Sequence, residues 1–217
     1  MKIDFVSDVS CPWCVVGLKS LEAALARVGP EVKAAIHFQP FELNPQMAPE
    51  GEDVVEHIAH KYGPSVDIAR SQETLKTRGE AVGFHFDFQK RGRIYNTFDA
   101  HRLLHWAQGE GKQHALKNAL FGAYFTEGRD PSNHDVLVSV AGSVGLDEKR
   151  AREILSSDEF AAAVRERERF YLDAGIHAVP AVIINDRHLI QGGQPAEVFE
   201  QALRQLATEN QGTVVPG

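Results

Sequence analysis

The chain has 217 residues, of which 43% are hydrophobic and 24% charged, and its formal net charge is −7. This composition is typical of a globular protein, and the acidic balance argues against nucleic-acid binding, which needs clustered lysine and arginine. No apolar run reaches the roughly 18 residues of a membrane helix. The first residues include Asp4 and Asp8 and lack the apolar region of a signal peptide. The sequence therefore predicts a cytoplasmic protein.

The first part of the chain has the pattern of a β-α-β unit. Apolar residues alternate over 2–9, which predicts a strand. A helical pattern follows from Pro12 to about Val28 and stops at Gly29–Pro30, and residues 32–43 form a second strand-like run. A connection of this length predicts that the two strands are parallel.

The middle of the chain changes character. After the turn-rich stretch 44–53, residues 54–170 show a succession of amphipathic helices and little strand pattern. Two short apolar runs return from Ile176 onwards and predict a hairpin, and an amphipathic helix begins at Pro195.

These patterns predict an α/β fold in which a β-α-β unit and a β-β-α unit form one domain around an all-helical insertion. The predicted limits are 1–45 for the first part, 46–170 for the insertion and 171–217 for the second part.

The only two cysteines are Cys11 and Cys14, in the sequence Cys-Pro-Trp-Cys at the predicted strand-to-helix junction. In a reducing compartment such a close pair is more often catalytic, redox-sensing or metal-binding than structural. A cysteine in the first helical turn faces unpaired N–H groups and the positive end of the helix dipole, which favour its thiolate. Residues three apart share a helix face, so the two sulfurs can bond. We expect Cys11 to be the exposed attacking thiol and Cys14 the shielded thiol that resolves the mixed disulfide.

Two other interpretations of the cysteine pair are open. The cysteines can be inert core residues, or the Cys-Pro-x-Cys turn can form half of a zinc site. His101 and His105, spaced i and i+4, would have to complete that site, but they lie about ninety residues away in a helical block. No second C-x-x-C occurs, so we expect no metal.

Val179-Pro180 begins an apolar strand-like run. Proline cannot donate to a strand ladder, so it belongs at the first residue of a strand or at an edge. A cis bond here would turn the Val179 backbone outward, where an extended peptide can pair with it by strand addition. A trans proline that merely begins a strand is the alternative.

Taken together, these residues resemble the thioredoxin superfamily, and specifically the DsbA-like oxidoreductases with an inserted helical domain, of the FrnE-like kind. The resemblance spans nearly the whole chain. It rests on the segments SDVSCPWCVVG, FQPFELNP, NTFDAHRLLHWA and GIHAVPAVIIN with LIQGGQP. It implies a thioredoxin-like fold, exchange of disulfides with protein or small-thiol substrates through Cys11 and Cys14, and Pro180 in cis beside the pair.

The resemblance also implies that the insertion covers the redox face. The residues expected to contact substrate are Pro12, Trp13, Asn96, Thr97, His101 and Val179. The alternative is that His101 and His105 are two positions of a helix capped by Asn96 or Thr97. We expect no cofactor other than the redox-active disulfide, with glutathione as a candidate partner. The oligomeric state is open, because the insertion suits a dimer face as well as a substrate lid.

The sequence departs from the thioredoxin pattern at one position. Many relatives carry a buried acid six residues before the first cysteine, and here that residue is Phe5. The proton acceptor for Cys14 is therefore left open. Relatives with the same fold include glutathione-dependent isomerases and transferases with a serine-type site, an alternative that the two cysteines disfavour. Because Pro12-Trp13 adds no positive charge between the cysteines, we expect a pair less oxidising than about −120 mV.

Overall fold

The structure is a computed structural model that describes residues 1–63 and 65–211, so residues 212–217 of the predicted last part lie outside the described residues. Within these ranges, no helix is long and apolar enough to span a membrane. The helices are α1 (Pro12–Val28), α2 (Val54–Tyr62), α3 (Ile68–Ala81), α4 (Phe98–Gly109), α5 (Gln113–Phe125), α6 (His134–Ser143), α7 (Glu148–Leu155), α8 (Ala161–Asp173) and α9 (Ala196–Gln211). The strands are β1 (Lys2–Ser7), β2 (Ala35–Pro40), β3 (Glu52–Asp53), β4 (Arg93–Ile94), β5 (Ala181–Ile184) and β6 (His188–Gln191).

A four-stranded mixed sheet in the order β2-β1-β5-β6 forms the centre of the fold. β1 and β2 are parallel, as the sequence predicts for the β-α-β unit, and β5 and β6 are antiparallel. The turn between β5 and β6 has positive φ angles at Asn185 (53°) and Asp186 (57°), which suit a tight hairpin. The predicted thioredoxin-like α/β fold is confirmed.

The two faces of β1 belong to different parts of the core. Phe5 is completely buried in the main hydrophobic cluster with α1 and α9. Val6 points to the other face, where Tyr171 of α8 and Phe41 cover it. This alternation follows from the two-residue period of a strand. Because β1 is fixed on both faces, the loop that follows it and carries Cys11 begins at a fixed position.

Residues between β2 and β5 are mostly helical, with one short exception, the two-residue antiparallel pair of β3 and β4. Helices α4 to α7 form a separate hydrophobic cluster, whose buried members include Leu103, Leu116, Val138 and Ile154. A second set of insertion residues packs into the main cluster instead; its largest members are Phe86, Phe121, Tyr124 and Phe125. The helical part and the sheet therefore share one core, and the domain limits given above stay a prediction.

Candidate redox site

The backbone around the cysteine pair forms a strand-to-helix junction. Cys11 is the N-cap residue of α1, with extended φ and ψ of −90° and 112°, and Pro12 is the first helical residue. Proline fits there because its missing N–H would have no helical partner. The Cys14 N–H donates to the carbonyl of Cys11 at 3.1 Å. The pair is thus fixed by the first turn of α1, as the spacing predicts.

Both cysteines are free thiols, and both are buried. Cys11 is 4% exposed and Cys14 is 0% exposed. The prediction that Cys11 is exposed was wrong, because the loop before β5 covers it: its Sγ donates to the carbonyl of Val179 at 3.7 Å. Cys14 is the more deeply buried of the two, so the Cys11 sulfur is the more accessible one.

The loop before β5 is the second component of the site. The Val179–Pro180 peptide bond is cis, as the resemblance implies. Pro180 is buried and accepts a hydrogen bond from the Gly192 N–H at 2.8 Å. Val179 is half-buried, and its N–H makes no hydrogen bond in the described part of the chain. That N–H is free to pair with an extended substrate.

Two glycines allow this loop to approach α1. A Cβ on Gly17 would lie 2.9 Å from Cγ of Pro180. A Cβ on Gly193 would lie 3.0 Å from the carbonyl oxygen of Trp13. Neither glycine has an unusual backbone angle. Glycine is needed at both positions because a larger side chain would collide with the facing atoms. The close packing brings the loop that carries Pro180 against α1, the helix that carries Trp13 and Cys14.

Cys14 shares its surroundings with a buried lysine from the insertion. Burial, together with the neighbouring Cys11, raises the pKa of the Cys14 thiol well above its usual range, and the charge of Lys117 opposes the shift. Lys117 of α5 is 0% exposed. Burial lowers the pKa of Lys117 to about 8, against the opposing effects of Cys14, Asp8 and Cys11.

Asp8 anchors the loop between β1 and α1. Its carboxylate accepts hydrogen bonds from the N–H groups of Ser10 at 3.1 Å and Leu43 at 2.7 Å, and His101 Nε2 lies 3.7 Å away. Burial by itself would raise the pKa of Asp8, but His101 and the two N–H groups outweigh it and lower the pKa to about 2. Asp8 is therefore a carboxylate throughout the neutral range.

The insertion residues expected to contact substrate have different exposures. His101 is 3% exposed and its Nε2 hydrogen-bonds the carbonyl of Phe41 at 3.1 Å. Thr97 is also buried, and it is the N-cap of α4 without a side-chain cap bond. Half-buried Asn96 accepts from the Phe98 N–H at 2.9 Å. Of the three, Asn96 alone presents an appreciable surface to solvent.

A carboxyl pair lies beside Asn96 at the end of β2. Burial, followed by the charge of Glu168, raises the pKa of Glu42 to about 7, although Arg165 forms an ion pair with it. Asn96 Nδ2 donates to Glu42 at 3.3 Å. Burial thus moves the pKa of a carboxyl beside Asn96 towards neutrality, a feature that the segment FQPFELNP does not signal by itself.

The zinc alternative gains no support from the positions of the histidines. His105 packs on the ring of Phe160, with 5.1 Å between the ring centroids. Across 1–63 and 65–211, no three histidine, cysteine or acidic side chains are grouped as a metal site would require.

Sequence reasoning missed two buried cations from the insertion. Lys117 is one, and Arg91 is the other: its Nε donates to the Tyr124 hydroxyl at 2.9 Å and its Nη2 to the carbonyl of Ser10 at 3.4 Å. Neither is near the cysteines in sequence, and only the packing of the insertion on the sheet brings them there.

The comparison with known families gives the class of this protein. The model of the DSBA-like thioredoxin domain matches residues 2–204, so the chain belongs to that family. The family is one of thiol–disulfide oxidoreductases; the FrnE-like subtype is not named by the match.

Similar proteins agree with this assignment. The crystal structure of the probable DsbA oxidoreductase SCO1869 from Streptomyces coelicolor is 33% identical, covers 100% of this chain and 92% of its own, and superposes with a TM-score of 0.86. The uncharacterized protein YwbO of Bacillus subtilis is 29% identical over 93% of this chain and 94% of its own length.

More distant structures share the fold alone. The 2-hydroxychromene-2-carboxylate isomerase structure is 19% identical over 99% of this chain and 100% of its own, with a TM-score of 0.75. The cytosolic disulfide reductase DsbM from Pseudomonas aeruginosa, solved with GSH, is 17% identical over 95% of this chain and 99% of its own, with a TM-score of 0.67.

Proposed function

We propose that this protein is a thiol–disulfide oxidoreductase in which Cys11 attacks the substrate and Cys14 resolves the mixed disulfide. The observation that carries the proposal is the position of the Cys11 sulfur. It lies at the N-terminus of α1 and 3.7 Å from the Val179 carbonyl, with the buried Cys14 in the same helical turn. A sulfur at that place faces the unpaired backbone N–H groups and the positive end of the helix dipole.

The exchange runs in two steps. The Cys11 thiolate attacks a disulfide RSSR′, so that a Cys11–S–S–R bond forms, the substrate S–S bond breaks and R′S⁻ leaves. Cys14 then attacks the Cys11 sulfur as a thiolate, the Cys11–Cys14 disulfide forms, and RS⁻ leaves. Two electrons pass from the cysteine pair to the substrate, which is reduced to two thiols.

Substrate recognition follows from the groups around the pair. An extended segment is expected to pair with the free N–H of Val179 beside cis Pro180, while Pro12 and Trp13, next to Cys11 in the chain, and the half-buried Asn96 are proposed to contact it. Thr97 and His101 are buried behind this surface, so their proposed contribution is to hold the wall in position.

We further propose the reducing direction in the cytoplasm, with glutathione as one small-thiol partner. The support is analogy: DsbM, which has this fold, is a cytosolic disulfide reductase solved with GSH. The proposal requires no bound cofactor, because the cysteine pair itself stores the two electrons.

The test is reduction of insulin disulfides by protein that is regenerated with glutathione or dithiothreitol. Cys11→Ser is expected to lose the activity entirely. Cys14→Ser, the matched control, is expected to accumulate a mixed disulfide at Cys11 that mass spectrometry detects. Full insulin reduction by Cys11→Ser would refute the proposal.

The isomerase that shares this fold defines a second candidate, a glutathione-dependent isomerase or transferase. Such an activity needs no cysteine pair, so Cys11→Ser would leave it largely intact. Loss of insulin reduction in Cys11→Ser assigns the site to disulfide exchange, whereas isomerisation or conjugation that persists in the same variant supports the second candidate.

A further inference from the structure

Lys117 is a buried cation without a partner. It lies in α5, is 0% exposed, and its Nζ makes no hydrogen bond and no ion pair to any residue the structure describes. Its nearest favourable contact is the ring of Phe121, whose centroid is 4.9 Å from Nζ. An unpaired buried ammonium opposes folding, so such a residue needs another explanation than stability.

The neighbouring carboxylate does not provide that explanation. Asp8 lies close enough for its charge to act on Lys117, yet its oxygens are engaged by the N–H groups of Ser10 and Leu43 and face His101. The strongest charge interaction of Lys117 is with Cys14. Because the ammonium is buried and unpaired in the resting protein, it is available for a negative charge that appears on Cys14 only during turnover.

The position also fills a gap in the sequence pattern. The position that the resemblance assigns to a buried acid is Phe5 here, and Phe5 is fully packed in the core. No acid on β1 lies under the cysteine pair, because Asp4 hydrogen-bonds Gln39 at 2.6 Å and pairs with Lys2 at 2.9 Å. The charged group that acts on Cys14 comes from the insertion instead, and it is a cation rather than an acid.

We propose that the ammonium group of Lys117 is the counter-charge that stabilises the Cys14 thiolate while Cys14 displaces the substrate from Cys11. The inference rests on the proposed function. In that step the Cys14 thiol loses its proton to water, its thiolate bonds to the Cys11 sulfur, and RS⁻ leaves with the electron pair. At pH 7, below the Lys117 pKa of about 8, the ammonium group keeps its positive charge throughout the step.

Other titratable and charged groups lie around Lys117 and are expected to affect the pH dependence of this step. A cavity of about 30 Å³ adjoins Lys117 and extends to exposed Gln108, and it is large enough for a water molecule. The titratable or charged groups that face Lys117 are Asp8, Cys11, Cys14, His101, His105 and Arg167.

The experiment follows the second step alone. Cys11 is loaded with thionitrobenzoate as a mixed disulfide, and release of the coloured thiolate is recorded by stopped flow between pH 5 and 9. Lys117→Met is expected to slow release at pH 7 roughly tenfold, the factor for one pKa unit at Cys14, and to move the profile to higher pH. Lys117→Arg keeps the charge and is expected to restore most of the rate.

Controls separate this inference from the proposed function. Lys112→Met removes an exposed positive charge at the start of the same helix and is expected to leave release unchanged. Wild-type release rates in Lys117→Met at every pH would overturn the inference. Failure of the wild-type protein to form the mixed disulfide would instead overturn the proposed function.

A second measurement does not depend on turnover. In a Cys11→Ala background, the ¹³Cβ chemical shift of Cys14 reports its ionisation directly. Lys117→Met is expected to move that titration upward by about one unit, and Lys112→Met to leave it in place. An identical Cys14 titration with and without Lys117 would also overturn the inference.

Discussion

Two buried cations of the helical insertion have opposite surroundings. Arg102 of α4 donates to the carbonyl groups of Ile154, Ser157 and Glu159 and to the Asp99 carboxylate, so its guanidinium is fully engaged. Lys117 of α5 has no hydrogen-bond acceptor among the residues described. A paired buried charge is part of the architecture, whereas an unpaired one is retained for another reason. The contrast separates a structural cation from a functional one.

The largest expected effect tests that contrast through stability. Arg102→Met removes the donor of four hydrogen bonds, to one carboxylate and three carbonyl groups, and is expected to lower the free energy of unfolding by about 2–3 kcal/mol. Lys117→Met removes an uncompensated charge and is expected to raise it by about 1 kcal/mol. Urea unfolding of the reduced proteins, followed by circular dichroism, measures both.

Arg152→Met, which removes a largely exposed guanidinium, is the control and should change stability by less than about 0.5 kcal/mol. Equal losses in Arg102→Met and Lys117→Met would contradict the distinction between the two cations.

Asp8 gives a pH-dependent test in the same region. Its pKa is lowered to about 2 in the folded protein, so the stabilisation is complete above the unfolded value near 4 and is lost as pH falls towards 2. The shift corresponds to about 2 kcal/mol. Asp8→Asn is expected to lose about this amount at pH 7 and to show a weaker dependence between pH 5 and 2. Unfolding at fixed pH values measures it.

Asp135→Asn is the matched control for Asp8→Asn, since the Asp135 side chain is 81% exposed. If both variants showed the same acid dependence, Asp8 would not hold the charge inferred for it.

The smallest expected effect concerns the packing of α1 against the cis-proline loop. Gly17→Ala puts a methyl group 2.9 Å from Pro180 and must displace that loop from the cysteines. We expect several-fold lower kcat/KM in insulin reduction and a stability loss of about 1 kcal/mol. Gly122→Ala, on α5 with open space at its Cβ, should instead gain about 0.5–1 kcal/mol. Unchanged kinetics in Gly17→Ala would show that the spacing is not critical.

The fold was largely predictable because its signals are local. Alternation over β1, the helical period after Pro12 and the turn after β5 each lie within a few residues. The pair β3 and β4 escaped prediction because two residues are too few to show a strand period. The Cys-Pro-Trp-Cys motif likewise indicated the site because its four residues are adjacent in the sequence.

The parts of the site that could not be predicted depend on distant contacts. Cys11 is buried by Val179, which lies 168 residues further along the chain. The apolar residues of α5 already define the buried face of this helix. The hydrophobic period therefore gives no reason to place Lys117 in the core, and a lysine is expected at the surface. Charge partners across elements appear only when the elements are packed.

The shared aromatic core has a consequence for how this architecture can diversify. Phe86, Phe121 and Phe125 of the insertion contact one another edge to face or at a tilt, and they pack in the same cluster as Phe5 of the sheet. If recombination replaced the insertion by a different helical segment, the apolar cluster on the sheet would be exposed unless the new segment also supplied these three aromatic side chains. Changes of specificity in such a scaffold are therefore expected to accumulate by substitution on the existing helices rather than by exchange of the whole segment.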